Sequence, residues 1–428
     1  MNVLLVEPEP KRSWGKNNQY VGLLKIANYH RQQGDKVEYI VSPKKPKRIT
    51  NPDLIYVTSL FTYWYDTAWE AVEIYKRNFP SAKVMLGGIY ASICPDHAKK
   101  SGADEVMAGQ HPGAHELPPD PSVLPYRQDF VYIFTSWGCN RACTYCATHI
   151  LYGKGIRQRD PELVLDDISF LKDKGYKTLY IGDDNLLYNS AEHIDKICEK
   201  IIKRNMKVEI HLPGGMAAKD FTQETAYKMR DAGFKEISFA LESTDATVLK
   251  KMGRANNTSK EDLIQALEMA DKAGFERHNS NVYFIIGLPY QTVPDMVDTL
   301  FFLIKAGVWA HPHRLTPIPH TVDWKRMGLE NWDYRDLYYK DFLAPGQTNF
   351  TSKDLNEIYK IARFFSVGQR FTSGYKWLVT ESLVGRSFRE SIVEDSKQEK
   401  GPAPEEATDD LAEDEREPTQ EEMAEDES

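Results

Sequence analysis

The sequence predicts an α/β protein in which two domains of alternating strands and helices are followed by a helical region and an acidic tail. Short apolar strands alternate with amphipathic helical stretches from the N-terminus to about residue 320. A proline-rich segment interrupts this alternation once, and the 428 residues exceed what one core usually serves. The domain boundaries that we predict are 1–111, 112–129, 130–320, 321–393 and 394–428.

The first 111 residues predict a flavodoxin-like (Rossmann-like) doubly wound domain. Helical stretches at Tyr20–Arg31 and Thr67–Arg77 separate apolar strand candidates, which are Val3–Val6, Val37–Val41, Leu54–Thr58, Val84–Leu86 and Glu105–Met107. Such alternation is typical of a parallel sheet covered on both faces, and ligands of these sheets bind at the carboxyl ends of the strands. The loops at those ends are 7–19, 59–65, 87–92 and 108–111.

The second domain follows a linker, residues 112–129, which we expect to be semi-rigid because each proline fixes φ. Six further strand–helix cycles predict a partial (β/α)6 barrel over residues 130–320. Its strand candidates are Val131–Thr135, Thr178–Ile181, Val208–His211, Glu236–Leu241, Val282–Ile286 and Arg314–Pro317, with helices such as Glu162–Lys172 and Ala191–Arg204 between them. Because chemistry in α/β barrels gathers at the carboxyl ends of the strands, we expect functional residues there.

Three cysteines, Cys139, Cys143 and Cys146, stand on one loop directly after the first barrel strand. Thiolates are soft ligands, and three of them can hold three irons of a [4Fe–4S] cube. The fourth iron then stays open to a small molecule. A Cys3His zinc site that includes His149 and a set of structural thiols are the alternatives, but zinc sites usually draw ligand pairs from two separated segments. The spacing therefore favours an iron–sulfur cluster.

The CxxxCxxC loop, with Tyr145 just before its last cysteine, resembles the signature of the radical S-adenosylmethionine (SAM, AdoMet) enzymes. The resemblance implies that AdoMet chelates the open iron and that its adenine packs near Tyr145. It also implies AdoMet contacts at later strand ends, namely Gly182 and Asp183 for the amino group, Glu242 and Ser243 for the ribose, and Gly287 on the adenine side. For Asp184 and Asn185, capping of the following helix is an equally good interpretation.

The run PDLIYVTSLFTYWYD, followed by KVMLGGIYAS, resembles the cobalamin-binding domain that precedes the radical core in many AdoMet enzymes, the class B methylases. The resemblance implies that cobalamin is contacted by Ser59, Phe61, Thr62, Gly87 and Gly88, with the glycines allowing a bulky ligand to approach. A tight turn at the glycine pair and a domain interface at aromatics 61–65 are the structural alternatives. The first loop, EPEPKRSWGKNNQ, lacks the DxHxxG histidine that ligates cobalt in many cobalamin proteins.

This resemblance implies a cobalamin-dependent radical SAM C-methyltransferase that acts on an unactivated carbon. Reductive cleavage of AdoMet would give a 5′-deoxyadenosyl radical, and methylcobalamin would supply the methyl group. A protein side chain, such as a glutamine or arginine of methyl-coenzyme M reductase, is our hypothesis for the substrate. A cobalamin-independent radical enzyme and an iron–sulfur electron-transfer or binding protein are the alternative functions. The expected electron donor is a flavodoxin or ferredoxin.

Composition predicts a soluble cytoplasmic protein without a membrane segment, because 41% of residues are hydrophobic, 27% are charged, and no long apolar run occurs. Five cysteines are too few for a disulfide framework. Residues 395–428 hold 15 acidic and 3 basic residues, a net charge of −12, which leaves the remainder at +3. We therefore expect no nucleic-acid partner and a disordered acidic tail. Residues 321–393 are aromatic and helical in pattern, and we expect them to cover the open side of the barrel.

Overall fold

The computed structural model describes residues 1–8, 19–338 and 340–371, and its first part consists of strands and helices in strict alternation. These elements are β1 (Asn2–Glu7), α1 (Val21–Gln32), β2 (Lys36–Val41), β3 (Leu54–Ser59), α2 (Tyr65–Asn78), β4 (Lys83–Gly87), α3 (Gly88–Ile93), α4 (Pro95–Ala98) and β5 (Glu105–Val106). Every strand candidate of residues 1–111 overlaps one of these strands.

The five strands form one parallel sheet in the order β2-β1-β3-β4-β5. This order is that of flavodoxin-like folds, which bind their ligands outside the carboxyl ends of β1 and β3, where the strand order reverses. Apolar residues cover both faces, with Leu4 and Val57 on one side and Val3 and Tyr39 on the other. The predicted doubly wound domain is therefore confirmed.

The second part of the chain carries the six strands of the barrel, one hairpin and the intervening helices. These elements are β6 (Phe130–Ile133), β7 (Ser136–Cys139), α5 (Thr148–Tyr152), β8 (Gly155–Gln158), α6 (Pro161–Asp173), β9 (Thr178–Ile181), α7 (Ile194–Lys203), β10 (Glu209–His211), α8 (Gln223–Ala232), β11 (Ser238–Glu242), α9 (Ala246–Lys251), α10 (Lys260–Lys272), β12 (Asn281–Ile286), α11 (Val293–Lys305) and β13 (Trp309–Arg314).

The barrel is a curved layer of six parallel strands with one apolar core. Its strands form two sheets, β10-β9-β6 and β11-β12-β13, and single bridges such as Met216 to Phe239 connect them. Side chains such as Leu179 and Phe284 alternate from these strands into the layer of outer helices. The predicted partial (β/α)6 barrel is confirmed.

Local sequence signals set the ends of the outer helices. α6 begins at Asp160, whose carboxylate accepts a hydrogen bond of 2.8 Å from the backbone N–H of Glu162, and Pro161 occupies the first helical position. α11 begins with a capping box formed by Thr292 and Asp295. These caps set the residue at which each loop between a strand and the next helix ends.

The position of the last barrel strand was predicted wrongly. The prediction was Arg314–Pro317, whereas the structure has β13 at Trp309–Arg314. The sequence pattern was misleading because Pro312 stands inside the strand, and proline has no N–H that could donate a hydrogen bond to a neighbouring strand. β13 is the edge strand of its sheet, so on one of its sides no neighbouring strand needs a hydrogen bond from residue 312.

The hairpin that carries the cysteines was not predicted. The first barrel strand ends at Ile133, and the chain then forms β7, which pairs antiparallel with β8, with Cys139 opposite Gly155. Gly138 has a φ of +89°, and a Cβ there would lie 2.4 Å from the carbonyl oxygen of Gly155. The two strands therefore approach so closely that only glycine fits at residue 138.

The C-terminal part contains two further α-helices among the described residues, α12 (Val322–Arg326) and α13 (Ser352–Phe371). α13 packs against β13 and α11, and its Leu355 and Ile358 belong to the barrel core. It therefore lies in the layer of outer helices, and the expectation that residues 321–393 cover the open side of the barrel is wrong for this helix. Residues 372–393 and the acidic tail lie outside the described residues. No described helix has both the length and the apolar character needed to cross a bilayer.

Candidate active site between the doubly wound domain and the barrel

The three predicted cluster ligands lie on the loop that joins β7 to α5. Cys139 ends β7, and burial together with the nearby charges of Cys143 and Cys146 raises the pKa of its thiol. Burial likewise raises the pKa of the Cys146 thiol. Within the described residues no set of three His, Cys, Asp or Glu side chains already stands at the spacing of a bound metal. The fit to a [4Fe–4S] cluster therefore rests on three neighbouring soft donors, since thiolates are the ligands such clusters take.

His149, the fourth ligand of the zinc alternative, is engaged elsewhere. Its Nε2 lies 2.9 Å from the backbone carbonyl oxygen of Cys139, which a ring N–H at that position can satisfy. When Nε2 donates to this carbonyl, only the other ring nitrogen, Nδ1, keeps a lone pair that a metal could use. The contact fits a role for His149 in shaping the loop and does not by itself decide against the zinc alternative.

Two adjacent carboxylates at the end of β9 hold the cysteine loop at both of its ends. The Asp183 carboxylate is half-buried and accepts hydrogen bonds from the N–H and hydroxyl of Thr135 and from the hydroxyl of Ser136, at 2.5–2.7 Å. Asp184 accepts one from the N–H of Gly138 and one from the hydroxyl of Thr148, both at 3.1 Å. The loop between these donors carries all three cysteines.

Asp183 and Asp184 therefore act through the loop rather than at a helix end. The Asp183 carboxylate is hydrogen-bonded to the turn between β6 and β7. Only the backbone of Asp183 is therefore available for the predicted contact with the AdoMet amino group. Burial raises the pKa of its carboxyl to about 6. Asn185 donates to the side-chain oxygen of Asn140 at 3.0 Å. The helix-capping interpretation of Asp184 and Asn185 is therefore wrong, since α7 begins only at Ile194.

Tyr145 and Glu242, predicted separately from two motifs, lie in contact. The Tyr145 hydroxyl donates to Oε1 of Glu242 at 3.0 Å, and Arg254 approaches the same oxygen at 3.9 Å. Burial raises the pKa of the Glu242 carboxyl, and the Arg254 charge opposes that rise. Glu242 also has a φ of +71°, a costly conformation for a residue with a side chain, at the end of β11. The strand end thus turns this carboxylate toward the cysteine loop.

Arg254 was not predicted, although it links the cluster ligands to Glu242. Its Nη1 donates to the Cys143 sulfur and to the Tyr145 oxygen, each at 3.4 Å, and its Nη2 donates to the Ala240 carbonyl at 3.0 Å. Its Nε is buried with no hydrogen-bond partner. No feature of the sequence pointed to Arg254 as a site residue, because it stands in the run KKMGRANN, which matches no motif.

The other two predicted AdoMet residues occupy strand ends without contacting this group. Ser243 is fully buried, and its hydroxyl accepts a hydrogen bond of 3.1 Å from the N–H of Asp245. Gly287 has a φ of +94° at the end of β12, and a Cβ there would lie 3.2 Å from the Leu355 side chain. Their roles at AdoMet stay predictions.

A cavity of about 540 Å³ lies between the carboxyl edge of the five-stranded sheet and the carboxyl ends of the barrel strands. Its volume is that of a typical cofactor or substrate site. Residues of both domains line it, among them Thr58, Gly87 and Gly88 from the sheet and Trp137, Gly182 and Asp183 from the barrel. The cavity thus joins the predicted cobalamin edge to the predicted AdoMet edge.

The two glycines of the cobalamin motif serve different purposes. A Cβ at Gly88, whose φ is +93°, would lie 2.5 Å from both the Ser59 carbonyl oxygen and the Thr58 hydroxyl. Gly88 is therefore required by the fold itself. It also lines the cavity, so its predicted contact with cobalamin stays a prediction. A Cβ at Gly87 would meet nothing closer than the Met107 carbonyl oxygen at 3.8 Å. Gly87 is therefore the glycine whose missing side chain keeps space open in the cavity.

The remaining residues of the cobalamin prediction are not among those that line the cavity. Ser59 is buried, and its hydroxyl donates to the Phe61 carbonyl at 3.1 Å. Phe61 stacks on Tyr63 at 5.0 Å between ring centroids, and Thr62 is buried in the same turn. Tyr63 contacts Tyr338 of the C-terminal part, so this turn matches the alternative of a packed domain interface.

Comparison with known proteins bears on the barrel first. The model of the Radical SAM superfamily matches residues 133–303. An uncharacterized methyltransferase of Pyrococcus horikoshii is 28% identical over 219 residues, which cover 49% of this chain and 46% of that protein. The bacteriochlorophyllide d C-12(1)-methyltransferase of Chlorobaculum tepidum is 25% identical over 52% of this chain and 48% of its own length. The chain thus spans less than half of these relatives.

Solved structures extend the likeness to both domains. The radical SAM methyltransferase TsrM of Kitasatospora setae, solved with cobalamin and a [4Fe–4S] cluster, superposes with a TM-score of 0.66. The match is 15% identical and covers 91% of this chain and all of TsrM, so it shows a shared fold. Residues 133–303 are therefore a radical SAM domain, and it lies behind a doubly wound domain.

Proposed function

We propose that this chain is a cobalamin-dependent radical SAM methyltransferase that methylates carbon. The observation that carries the proposal is the cavity of about 540 Å³, which the carboxyl ends of both domains' strands border. A methyl group that passes from a corrin to a substrate needs both within one enclosed space. The likeness of the fold to TsrM supports the same arrangement.

On the barrel side, the chain's own residues would hold and orient the cluster and AdoMet. Cys139, Cys143 and Cys146 are the proposed iron ligands, and Arg254 donates to the Cys143 sulfur. Such a hydrogen bond adjusts the electron density of a cluster ligand. Glu242 offers a carboxylate that can accept from both ribose hydroxyls. When bound, the cluster and AdoMet supply the radical chemistry and cobalamin supplies the methyl group.

On the side of the doubly wound domain, the wall at Thr58, Gly87 and Gly88 would lie against the corrin. This wall offers hydroxyl and backbone groups, so the wall itself would hold cobalamin by shape. Two histidines line other parts of the cavity, and each is hydrogen-bonded to backbone: Nδ1 of His111 accepts from the Gly113 N–H at 3.2 Å, and Nδ1 of His115 lies 3.1 Å from the Pro112 carbonyl oxygen. The loop 9–18, where other cobalamin proteins carry the cobalt-ligating histidine, lies outside the described residues. Its sequence contains no histidine.

Within this proposal, a protein side chain such as a glutamine or arginine of methyl-coenzyme M reductase is a hypothesis that rests on family resemblance alone. The relatives whose names state a substrate act on several classes, among them cytidylyl-2-hydroxyethylphosphonate, bacteriochlorophyllide d and ribosomal protein uS12. A reductant is needed by any radical SAM enzyme, and a flavodoxin or ferredoxin is the donor that we propose.

The proposal is tested by reconstituting the full chain anaerobically with iron, sulfide and hydroxocobalamin. We expect one cobalamin per chain and a spectrum without histidine coordination to cobalt. Turnover with methyl-labelled AdoMet should transfer label to a substrate only when cobalamin is present. Product formation at full rate without cobalamin would instead favour the cobalamin-independent radical enzyme. Cluster reduction without any AdoMet cleavage would favour the electron-transfer protein.

A further inference from the structure

Two short basic segments lie side by side at the surface next to the cysteine loop. Lys250 and Lys251 form the last turn of α9, and Lys325 and Arg326 form the last turn of α12. All four side chains are exposed. Arg326 donates from Nη1 to the Lys251 carbonyl at 3.0 Å, so the segments make one continuous surface, which we call the basic patch.

Few carboxylates offset the charge of the basic patch. Asp323 on α12 is buried, and it pairs with Arg326 at 3.2 Å. Asp245 caps the opposite, N-terminal end of α9. Residues 1–394 as a whole carry a net charge of only +3. The patch is therefore a local concentration of positive charge and does not follow from the composition of the chain.

Both segments are hydrogen-bonded to the same residue of the cysteine loop, Thr144, which directly follows Cys143. The Thr144 N–H donates to the Met252 carbonyl at 3.0 Å, and the Asp323 N–H donates to the Thr144 carbonyl at 3.0 Å. The Thr144 hydroxyl also donates to the Asp323 carboxylate at 2.7 Å. The basic patch is therefore fixed rigidly to the loop that carries the cluster ligands.

The outer side of the cysteine loop is open to solvent beside this patch. Asn140, Ala142 and Gly253 are exposed, and they line an open cleft of about 920 Å³. Gly253 lies so close to the loop that a Cβ there would stand 2.5 Å from the Ala142 carbonyl oxygen. A protein seated in the cleft would thus lie one residue away from the ligand Cys143.

We propose that the basic patch and this cleft are the docking surface for an acidic one-electron donor protein. Electron transfer falls steeply with distance, so the donor must dock where the cluster ligands approach the surface. Concentrated positive charge steers an acidic partner to that place and raises the association rate. A shallow polar cleft suits the small, transient interfaces of electron-transfer complexes. On docking, the donor loses one electron and the cluster gains it, with no bond formed or broken.

This inference rests on the proposed function, because it requires the cluster, and its test separates the two. The test uses the full chain with its cluster reconstituted and compares wild type with the double variant Lys250→Glu/Lys325→Glu. Among the described residues neither lysine side chain forms an ion pair or a hydrogen bond, so the fold should be retained. Cluster bleaching is followed by stopped-flow absorbance with an acidic flavodoxin, pre-reduced, and separately with titanium(III) citrate.

We expect the second-order rate constant with flavodoxin to fall on the order of tenfold or more in the double variant at low salt. The wild-type rate should fall as sodium chloride is added, and the variant should lose most of that dependence. The rate with titanium(III) citrate should stay within twofold of wild type. The matched control, Lys100→Glu/Lys203→Glu, has the same change in net charge at exposed lysines elsewhere and should keep the wild-type rate with flavodoxin.

Reduction of the double variant by flavodoxin at the wild-type rate would overturn the docking proposal while leaving the proposed function intact. Equal slowing in the control variant would also overturn it, because the effect would then come from net charge alone. If the double variant were slow with both reductants, the single variants Lys250→Glu and Lys325→Glu would decide by the same comparison. A wild-type chain that binds no cluster would contradict the proposed function as well.

Discussion

The cysteine loop and the rim of the five-stranded sheet border the same cavity, yet they are built by different means. The loop is held by side-chain hydrogen bonds, since Asp183 and Asp184 accept five of them from its two ends. The rim is held by backbone contact, with Gly88 pressed against Ser59. One side of the cavity therefore depends on charge and the other on shape.

This difference predicts which substitutions each side of the cavity should tolerate. Around the loop, a change that keeps size but alters charge or hydrogen bonding should matter, because buried polar groups are costly to leave unpaired. At the rim, a change in volume should matter and a change in polarity should not. Four predictions examine this contrast.

The largest effect is expected from the cluster ligands. Changing Cys139, Cys143 or Cys146 to alanine removes one soft donor from a site with three, so the bound iron should fall from about four per chain to nearly none. Iron and sulfide analysis of anaerobically reconstituted protein measures this, and AdoMet cleavage should be lost in parallel.

The two remaining cysteines supply the control. Cys94 and Cys198 are buried in the apolar cores of the two domains, and their replacement by alanine should leave the iron content unchanged. Full iron content in any one of the three loop variants would contradict the assignment of that cysteine as a ligand.

The second prediction separates the two glycines of the rim. Gly88→Ala introduces a Cβ at 2.5 Å from backbone and forces a left-handed conformation on a residue with a side chain. We expect it to lower the free energy of unfolding by roughly 3 kcal/mol or more, as measured by chemical denaturation. Gly87→Leu should fold normally, because nothing stands within 3.8 Å of its Cβ.

Gly87→Leu should nevertheless abolish cobalamin binding, because the new side chain has room only in the cavity. Absorbance after gel filtration measures the bound cobalamin. Undiminished binding in a folded Gly87→Leu protein would show that the corrin lies elsewhere. A fully stable Gly88→Ala protein would show that the rim can shift, and the contrast between rim and loop would then fail.

The sequence predicted the architecture well where periodicity carries the information. Strands such as β9 were placed to the residue, because their apolar alternation and flanking turns are unambiguous. β13 was misplaced because Pro312 argued against a strand, and only tertiary context shows that β13 is an edge. The β7–β8 hairpin was missed because its strands, SWGC and GIRQ, are too short for a periodic signal.

The candidate site was predictable only as far as its motifs reach. The cysteines were predicted from their spacing, and Tyr145 and Glu242 from the resemblance to the radical SAM enzymes; the structure brings Tyr145 and Glu242 together. Arg254 and the roles of Asp183 and Asp184 were missed, because they arise from contacts between residues far apart in sequence. The role of Gly88 in the fold was also missed, since sequence cannot tell whether a glycine makes room for a ligand or for its own fold.

The third prediction concerns the charge on the loop side. Glu242→Gln keeps the size of the side chain and removes its charge, so the site loses an acceptor for the ribose hydroxyls. We expect the Kd for AdoMet to rise roughly tenfold with the cluster retained, as for loss of one hydrogen bond to a charged group. Isothermal titration of the reconstituted protein measures this. Ser243→Ala should change the Kd less, because the Ser243 hydroxyl is already used by Asp245; an equal effect would show that Ser243 also reaches the ribose.

The smallest effect on AdoMet binding is expected from Tyr145→Phe. This substitution separates the contribution of the Tyr145 hydroxyl from that of its ring on the loop side of the cavity. The substitution keeps the ring that is predicted to pack near the adenine and removes the hydroxyl that donates to Glu242 at 3.0 Å. Arg254 remains near the same carboxylate, so Glu242 would not be left as an isolated buried charge. Because Arg254 still balances Glu242, the loss of the hydroxyl should cost about 1 kcal/mol of AdoMet binding, so the Kd for AdoMet should rise by no more than about fivefold. Tyr145→Leu removes the aromatic face as well and should weaken binding further. If the phenylalanine variant were as weak as Glu242→Gln, the hydroxyl would be acting on AdoMet through its hold on Glu242, and the ring would contribute little.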